Sequence, residues 1–359
     1  MTTAAELASY ASSFPSFRNR IINGDMRIDQ RNAGASVTFD GTNKFVTDRF
    51  YGFSNVGTTT SQQSTTAPTG FNNSLLVTQS TGGSVVSSSY LALNHRIEGF
   101  NFADLGWGSA SAKTITLSFW VRSSITGTFS VAFINSAANR SYVTNYSISA
   151  ADTWEQKTIT IAGDTSGTWV TNNGIGVTIV WNLGYGSNYT TSTLDAWAAS
   201  AKYGSTTTTT SFASTTGATF YITGVQLEEG TVATPFEHRP IGTELALCQR
   251  YYEKSHEIDD APGTLTTDSA VFFRSIAQNT TYLAITDSMR VEKRASPTIV
   301  VYDINGNSGK ICINDSITDP CNISTFSVSS YGKNIRLIYD YGSKSINGMS
   351  FNWVATAEL

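Results

Sequence analysis

Residues 115–122 alternate without a break: Ile115, Leu117, Phe119 and Val121 stand between Thr116, Ser118, Trp120 and Arg122. A period of two sends successive side chains to opposite faces, so this segment predicts a half-buried strand with one face toward a core. The same period recurs at Phe129, Val131 and Phe133, and at Val177, Ile179 and Trp181, and less cleanly at Lys157, Ile159 and Ile161. From Thr219 to Leu227 it slips phase at Gly224, so Val225 and Leu227 rejoin the face of Phe220 and Ile222 only if Gly224 forms a bulge. Several such strands joined by turns argue for a sandwich over a parallel sheet with crossover helices.

The composition agrees. Charged residues make up 14% of the chain, against roughly 25% in ordinary soluble domains. Ser and Thr fill the gap, and 29 glycines stand against 7 prolines, as many tight turns require. Helix formers such as Glu, Lys and Gln are sparse. The fold class predicted is all-β. A length of 359 residues exceeds what one core usually serves and predicts two domains.

Several function classes drop out. A net charge of −4 argues against a nucleic-acid groove, which needs clustered Lys and Arg. No apolar run approaches the roughly 20 residues of a membrane span. Met1–Glu6 lacks the basic and apolar segments of a secretory signal, so a chain made in the host cytoplasm is expected. Cys248, Cys312 and Cys321 are too few for a disulfide framework. Cys248 reads as packing; Cys312 and Cys321 can pair, although a reducing cytoplasm favours thiols.

Residues 1–17 read as an N-terminal arm, mildly helical at Ala4–Tyr10 and stopped by Pro15. Residues 18–240 form the first β-domain. The stretch 182–217 interrupts its rhythm with Tyr185, Tyr189, Trp197 and Tyr203, too many large aromatics for a disordered loop. Residues 241–255 predict a linking helix, with Thr243 as N-cap and Leu245, Leu247, Cys248 and Tyr252 as its apolar stripe. Residues 256–359 form a smaller C-terminal β-domain, in which Asn305-Gly306 predicts a hairpin between Thr298–Tyr302 and Lys310–Ile313.

The order Asn23-Gly24-Asp25-Met26, Thr116–Arg122, Trp154–Ile159 and Phe220–Glu228 resembles jelly-roll carbohydrate-binding modules. Met26 stands where those modules usually have Phe, and Gly224 where they often carry Asp, so a structural ion site is not expected there. A closer similarity is to bacteriophage tail-fibre and related virion surface proteins. It runs through the entry Asn23-Gly24-Asp25, Thr47–Tyr51, His95–Glu98, Gly224–Glu228, Thr234–Arg239 and Glu244–Tyr252, and ends on Pro297-Thr298 and Ala355–Leu359. The resemblance spans most of residues 18–359. It implies a jelly-roll sandwich in a virion (tail) protein, acting as a homotrimer that displays the sandwich toward the host. The resemblance identifies neither the attachment point nor the receptor; besides copies of itself, the partners expected are other tail or virion proteins, through the arm at residues 1–17, and host cell-surface polysaccharide. Exposed edge strands, best covered by partners, agree with an oligomer.

No catalytic or metal-binding pattern is recognisable, and no cofactor is expected. His95, His238 and His256 include no HExxH spacing, and neither a Gly-x-Ser-x-Gly elbow nor a phosphate-cradling loop occurs. Asp164–Trp169 resembles the Asp-box turn of sialidases with one residue too many; a solvent-facing turn capped by Asp164, with Trp169 beneath it, is the better account. Glu228 and Glu229, as strand neighbours, point to opposite faces and cannot form a hydrolytic pair with each other. Glycan binding needs outward aromatic faces flanked by polar groups. Trp120 qualifies by phase, and Tyr185, Tyr189, Trp197 and Tyr203 by their place in the long loop; a role in anchoring that loop is the alternative for each. A head-decorating protein and a polysaccharide depolymerase remain the competing readings.

Overall fold

The computed structural model describes residues 17–208, 212–265, 271–274, 282–315, 321, 323–324, 326–340 and 346–359. The expected arm therefore lies outside the described residues, save Phe17, as do Thr209 and Thr210 of the threonine run.

The first part of the chain gives strands β1 (Val37–Thr38), β2 (Lys44–Thr47), β3 (Phe50–Ser54), β4 (Thr58–Ser64), β5 (Ser74–Thr81), β6 (Leu91–Glu98), β7 (Ile115–Ser123) and β8 (Gly127–Asn135). It continues with β9 (Ser141–Ile148), β10 (Glu155–Ile161), β11 (Ile175–Asn182), β12 (Thr190–Thr191), β13 (Trp197–Ala198), β14 (Gly204–Ser205) and β15 (Ala218–Glu229). Two sheets result, a six-stranded one in the order β1-β4-β5-β15-β7-β10 and a seven-stranded one in the order β13-β9-β8-β11-β6-β3-β2. Their pairings are antiparallel, while the two-residue pair of β12 and β14 is parallel. The chain passes repeatedly from one sheet to the other, which makes the unit a jelly-roll β-sandwich.

The alternation in β7 does what its period requires. Ile115, Leu117, Phe119 and Val121 are fully buried, facing Phe129, Val131, Phe133, Ile179 and Trp181 of the other sheet. Gly224 takes φ +60°, and the register of β15 against β7 jumps between Thr223 and Gln226, which is the expected bulge. Phe220, Ile222, Val225 and Leu227 thereby all reach the core. His95 is also buried here, its ring 4.6 Å from that of Phe50.

The chain divides into two compact units. The second comprises residues 240–359 together with 28–35 and 47–49, two short segments that the sequence reading places within 18–240. Ion pairs account for the difference. Arg31 and Arg49 both hold the Glu358 carboxylate, Arg31 at 2.6 Å, and their guanidinium groups lie 3.6 Å over the rings of Tyr252 and Tyr251.

The helix expected over 241–255 is shorter. α1 (Ile241–Gln249) follows Pro240, which is its N-cap, and Thr243 makes no cap bond. The chain then forms β16 (Tyr252–Lys254), because those residues pair with a strand near the other end of the unit, and tertiary pairing overrides local propensity. The remaining strands are β17 (Val271–Arg274), β18 (Tyr282–Ser288), β19 (Thr298–Tyr302), β20 (Cys312–Asp315), β21 (Phe326–Tyr331), β22 (Asn334–Asp340) and β23 (Ile346–Thr356). The Asn305-Gly306 turn forms, with Gly306 at φ +85° and a single bridge between Tyr302 and Ser308. Its flanking strands do not pair with each other, however; β19 and β20 both pair with the eleven-residue β23. A long partner strand outcompetes the local hairpin. Ile285, Val301, Ile313, Leu337, Phe351 and Trp353 make this unit's core, and Cys312 and Cys321 are joined by a disulfide.

Candidate functional site

The outer face of the six-stranded sheet carries the best-ordered set of outward aromatics. With the odd residues of β7 inside, Trp120 and Arg122 point out. Tyr221 of β15 stands opposite Arg122 on one side and Leu76 of β5 on the other, and Leu76 is opposite Gln62 of β4. On the far side of β7, Gln156 of β10 is opposite Trp120, and Trp154 enters that strand in the same phase. The row Trp154–Arg122–Tyr221–Leu76–Gln62 therefore crosses five strands, about 19 Å at ordinary strand spacing. Each of these side chains is half-buried.

The Trp154 and Tyr221 rings meet edge to face at 6.0 Å, and the Arg122 guanidinium lies 5.0 Å from the Tyr221 ring. Arg122 is held in place by Asp152, donating to its carbonyl at 2.9 Å and pairing with its carboxylate at 3.1 Å. Trp120 lies against the Gly224 bulge. A Cβ there would meet Trp120 Cδ1 at 3.0 Å and Phe71 Cζ at 2.6 Å, so only glycine lets both rings sit this close to the backbone. Phe71 continues the aromatic surface to Phe236 at 5.1 Å and His238 at 5.4 Å. Uncharged Thr60, Thr78, Gln156 and Thr158 share this face in the same register.

The other half of the sheet is covered. Glu228 is buried and accepts from the Thr234 amide at 2.8 Å and hydroxyl at 2.7 Å, with Arg18 at 3.6 Å. Glu229 is exposed and paired with Lys113 at 2.9 Å. The two neighbours do part to opposite sides, each taken by its own cation. Among the described residues, no group of three or more His, Cys, Asp or Glu is arranged to hold a metal ion.

The five aromatics expected at the site go to three places. Trp120 is on the face just described. Tyr185, Tyr189 and Tyr203 gather on the outer side of the seven-stranded sheet, with ring separations of 5.5–6.0 Å. There Tyr185, Tyr203 and Leu194 pack on Ala92, Ala132, Ile134, Val143 and Val180, so they hold the long loop to the sheet. Burial pushes the Tyr185 hydroxyl well above its ordinary pKa and raises that of Tyr203. Trp197 is an anchor of the same loop. Its ring sits 5.0 Å from Trp107 and 5.3 Å from both Trp169 and Tyr142, and its Nε1 donates to the Ala162 carbonyl at 2.8 Å. Trp154 and Tyr221 are not among the residues the sequence singles out for glycan binding. Tyr221 was legible, since Phe220 and Ile222 face inward and their neighbour must face out.

The turn at Asp164 differs from expectation in one respect. Asp164 accepts the Ser166 amide at 3.0 Å and Trp169 packs beneath, but the carboxylate is buried, held by Arg140 at 2.6 and 2.8 Å. A buried carboxylate needs such a partner, and Arg140 supplies it two-handed.

No protein-family model and no curated protein matches the chain. Among solved structures, the chain is similar to the enzymatically active domain of bacteriophage CBA120 tailspike protein 4, at 12% identity and TM-score 0.30, over 59% of this chain and 22% of that one. It is also similar to a putative sugar binding protein from Bacteroides thetaiotaomicron, at 14% identity and TM-score 0.34, over 59% of this chain and 100% of that one. A third is a family 11 carbohydrate-binding module from Clostridium thermocellum in complex with a mixed-linked tetrasaccharide, at 12% identity and TM-score 0.28, over 55% of this chain and 98% of that one.

Proposed function

We propose that this chain is a virion surface protein, a homotrimeric tail-fibre subunit whose sandwich binds host cell-surface polysaccharide without acting on it chemically. The observation that carries the glycan reading is the outward row of Trp154, Arg122, Tyr221 and Leu76 beside Trp120, set among uncharged hydroxyl and amide side chains. Aromatic faces offer apolar surface to the C–H side of a sugar ring, and Thr and Gln offer hydrogen bonds to its hydroxyls. The tail-fibre assignment and the trimer are supported by the resemblance described above, and docking through residues 1–17 by their reading as a short arm that precedes the sandwich.

Affinity electrophoresis in gels containing host polysaccharide tests the site. Trp154→Ala and Tyr221→Ala should each weaken retardation about tenfold, the equivalent of about 1.4 kcal/mol, with the fold intact by circular dichroism. Retardation unchanged in both variants removes the site. Competition with phage adsorption by the fragment 18–359 separates host recognition from a purely structural role, such as decorating a head. New reducing ends on incubation with the polysaccharide would turn the reading to a depolymerase.

A further inference from the structure

A second concavity lies away from the aromatic row, on the first unit. It is a cleft of about 540 Å³ between the loop at Val85–Ser87 and the chain at Asn182–Ser187, closed by Thr190, Ser205, Thr206 and Ala213. That volume falls within the roughly 300–1,000 Å³ of small-ligand sites.

Its walls are built. Asn182 Oδ1 accepts the amides of Gly184 at 2.9 Å and Tyr185 at 3.0 Å, while its Nδ2 donates to Ser130 Oγ at 3.0 Å. Gly186 and Asn188 bond to the facing loop through the carbonyls of Ser89 and Ser87, at 2.9 and 3.0 Å. Gly186 permits the approach, since a Cβ there would lie 1.9 Å from the Val86 carbonyl oxygen.

The chemistry of the lining is specific. Among the described residues it contains no Asp, Glu, Lys, Arg or His, so an ionised ligand would lose hydration with no counter-charge to replace it. Thr190 is 9% exposed, and its hydroxyl makes no hydrogen bond among the described residues. A hydroxyl that lines a cleft, reachable by solvent and without a protein partner, is placed to bond a ligand. Ser87 and Ser187, also without side-chain partners among the described residues, add hydroxyls at the rim. Val85 and Val86 are 45% and 58% exposed at the same mouth, with Ala213 within. An uncharged lining that mixes hydroxyls with the valine methyl groups at Val85 and Val86 matches a sugar that carries an apolar substituent.

We infer that this cleft is a binding site for a single neutral sugar unit bearing an acetamido or methyl group, an N-acetylhexosamine or a deoxyhexose. It is independent of the sheet-face site, and either can fail without the other.

Saturation-transfer NMR on the full chain tests it, with N-acetylglucosamine, rhamnose, glucose and glucuronate as probes. Saturation is expected at the acetamido methyl of N-acetylglucosamine and the ring methyl of rhamnose, less on glucose, and none on glucuronate. Thr190→Val keeps the shape, removes the hydroxyl, and should weaken binding about fivefold. Val86→Asp, at an exposed position that folding tolerates, should abolish it. Trp120→Ala should leave it unchanged. No methyl saturation from either neutral probe, equal saturation of glucuronate, or binding indifferent to both cleft variants overturns the inference.

Discussion

Single residues decide more here than the polar composition suggests. Gly224 links the sheet's register to its binding face: its left-handed φ makes the bulge, and its missing Cβ admits Trp120 and Phe71. Gly224→Ala should cost about 1–3 kcal/mol through strain and displaced rings, read as a lowered unfolding midpoint, and weaken glycan retardation with it. A second pair of residues sets opposing pH responses in the second unit. Burial pushes the Asp48 carboxyl up to about 7, and burial, with help from the Lys254 charge, pushes His256 down to about 4. Asp48 binds its proton more tightly folded than unfolded, so its contribution is present below pH 3.8 and lost as pH rises toward 7. His256 works the other way; its contribution is present above pH 6.5 and lost as pH falls toward 4. Urea unfolding of the natural chain should therefore change little between pH 4 and 6.5. His256→Gln should leave a stability that declines as pH rises, and Asp48→Asn one that declines as pH falls.

Among the elements, the strands with strict alternation were readable from the chain, and the pairing partners were not. Nothing near Thr298–Tyr302 or Cys312–Asp315 reveals that both will pair with β23, because that strand lies some thirty residues or more further on and its claim rests on length. The end of α1 belongs with this, since Tyr252–Lys254 leaves the helix only because Thr356, Ala355 and Val354 await it. The ion pair of Glu253 and Lys293 pins that strand at 2.5 Å with both side chains 1% exposed. Lys293→Ala leaves a buried carboxylate unpaired and should cost about 3–5 kcal/mol, checked by chemical denaturation. The early segments 28–35 and 47–49 matter to the same unit. A fragment covering 240–359 alone lacks Arg31 and Arg49, leaves the buried Glu358 carboxylate without either, and should show poor amide-proton dispersion that a chain beginning before residue 28 restores.

At the scale of the whole molecule, low charge is the property that governs how it meets a partner. The proposed binding row has one cation, Arg122, already neutralised by Asp152. Polysaccharide retardation should therefore hardly change between low salt and about 0.5 M NaCl, where a charge-driven contact is screened within a few ångströms. The expected trimer is checked by light scattering at micromolar concentration, where a monomeric mass counts against it.

The sequence by itself determined the all-β class, the inward and outward faces of the main strands, the bulge at Gly224 and the outward setting of Trp120. All of these follow from short-range rules: a period of two, a phase slip and a backbone conformation open to glycine. Only the tertiary structure decided that Tyr185, Tyr203 and Trp197 hold a loop in place, that Trp154 and Tyr221 complete the outward row, and that residues 28–35 belong with the second unit. Those outcomes depend on which distant segments compete for the same surface. Burial of aromatic area and the pairing of buried charges settle that competition, and both depend on contacts between residues far apart in the chain.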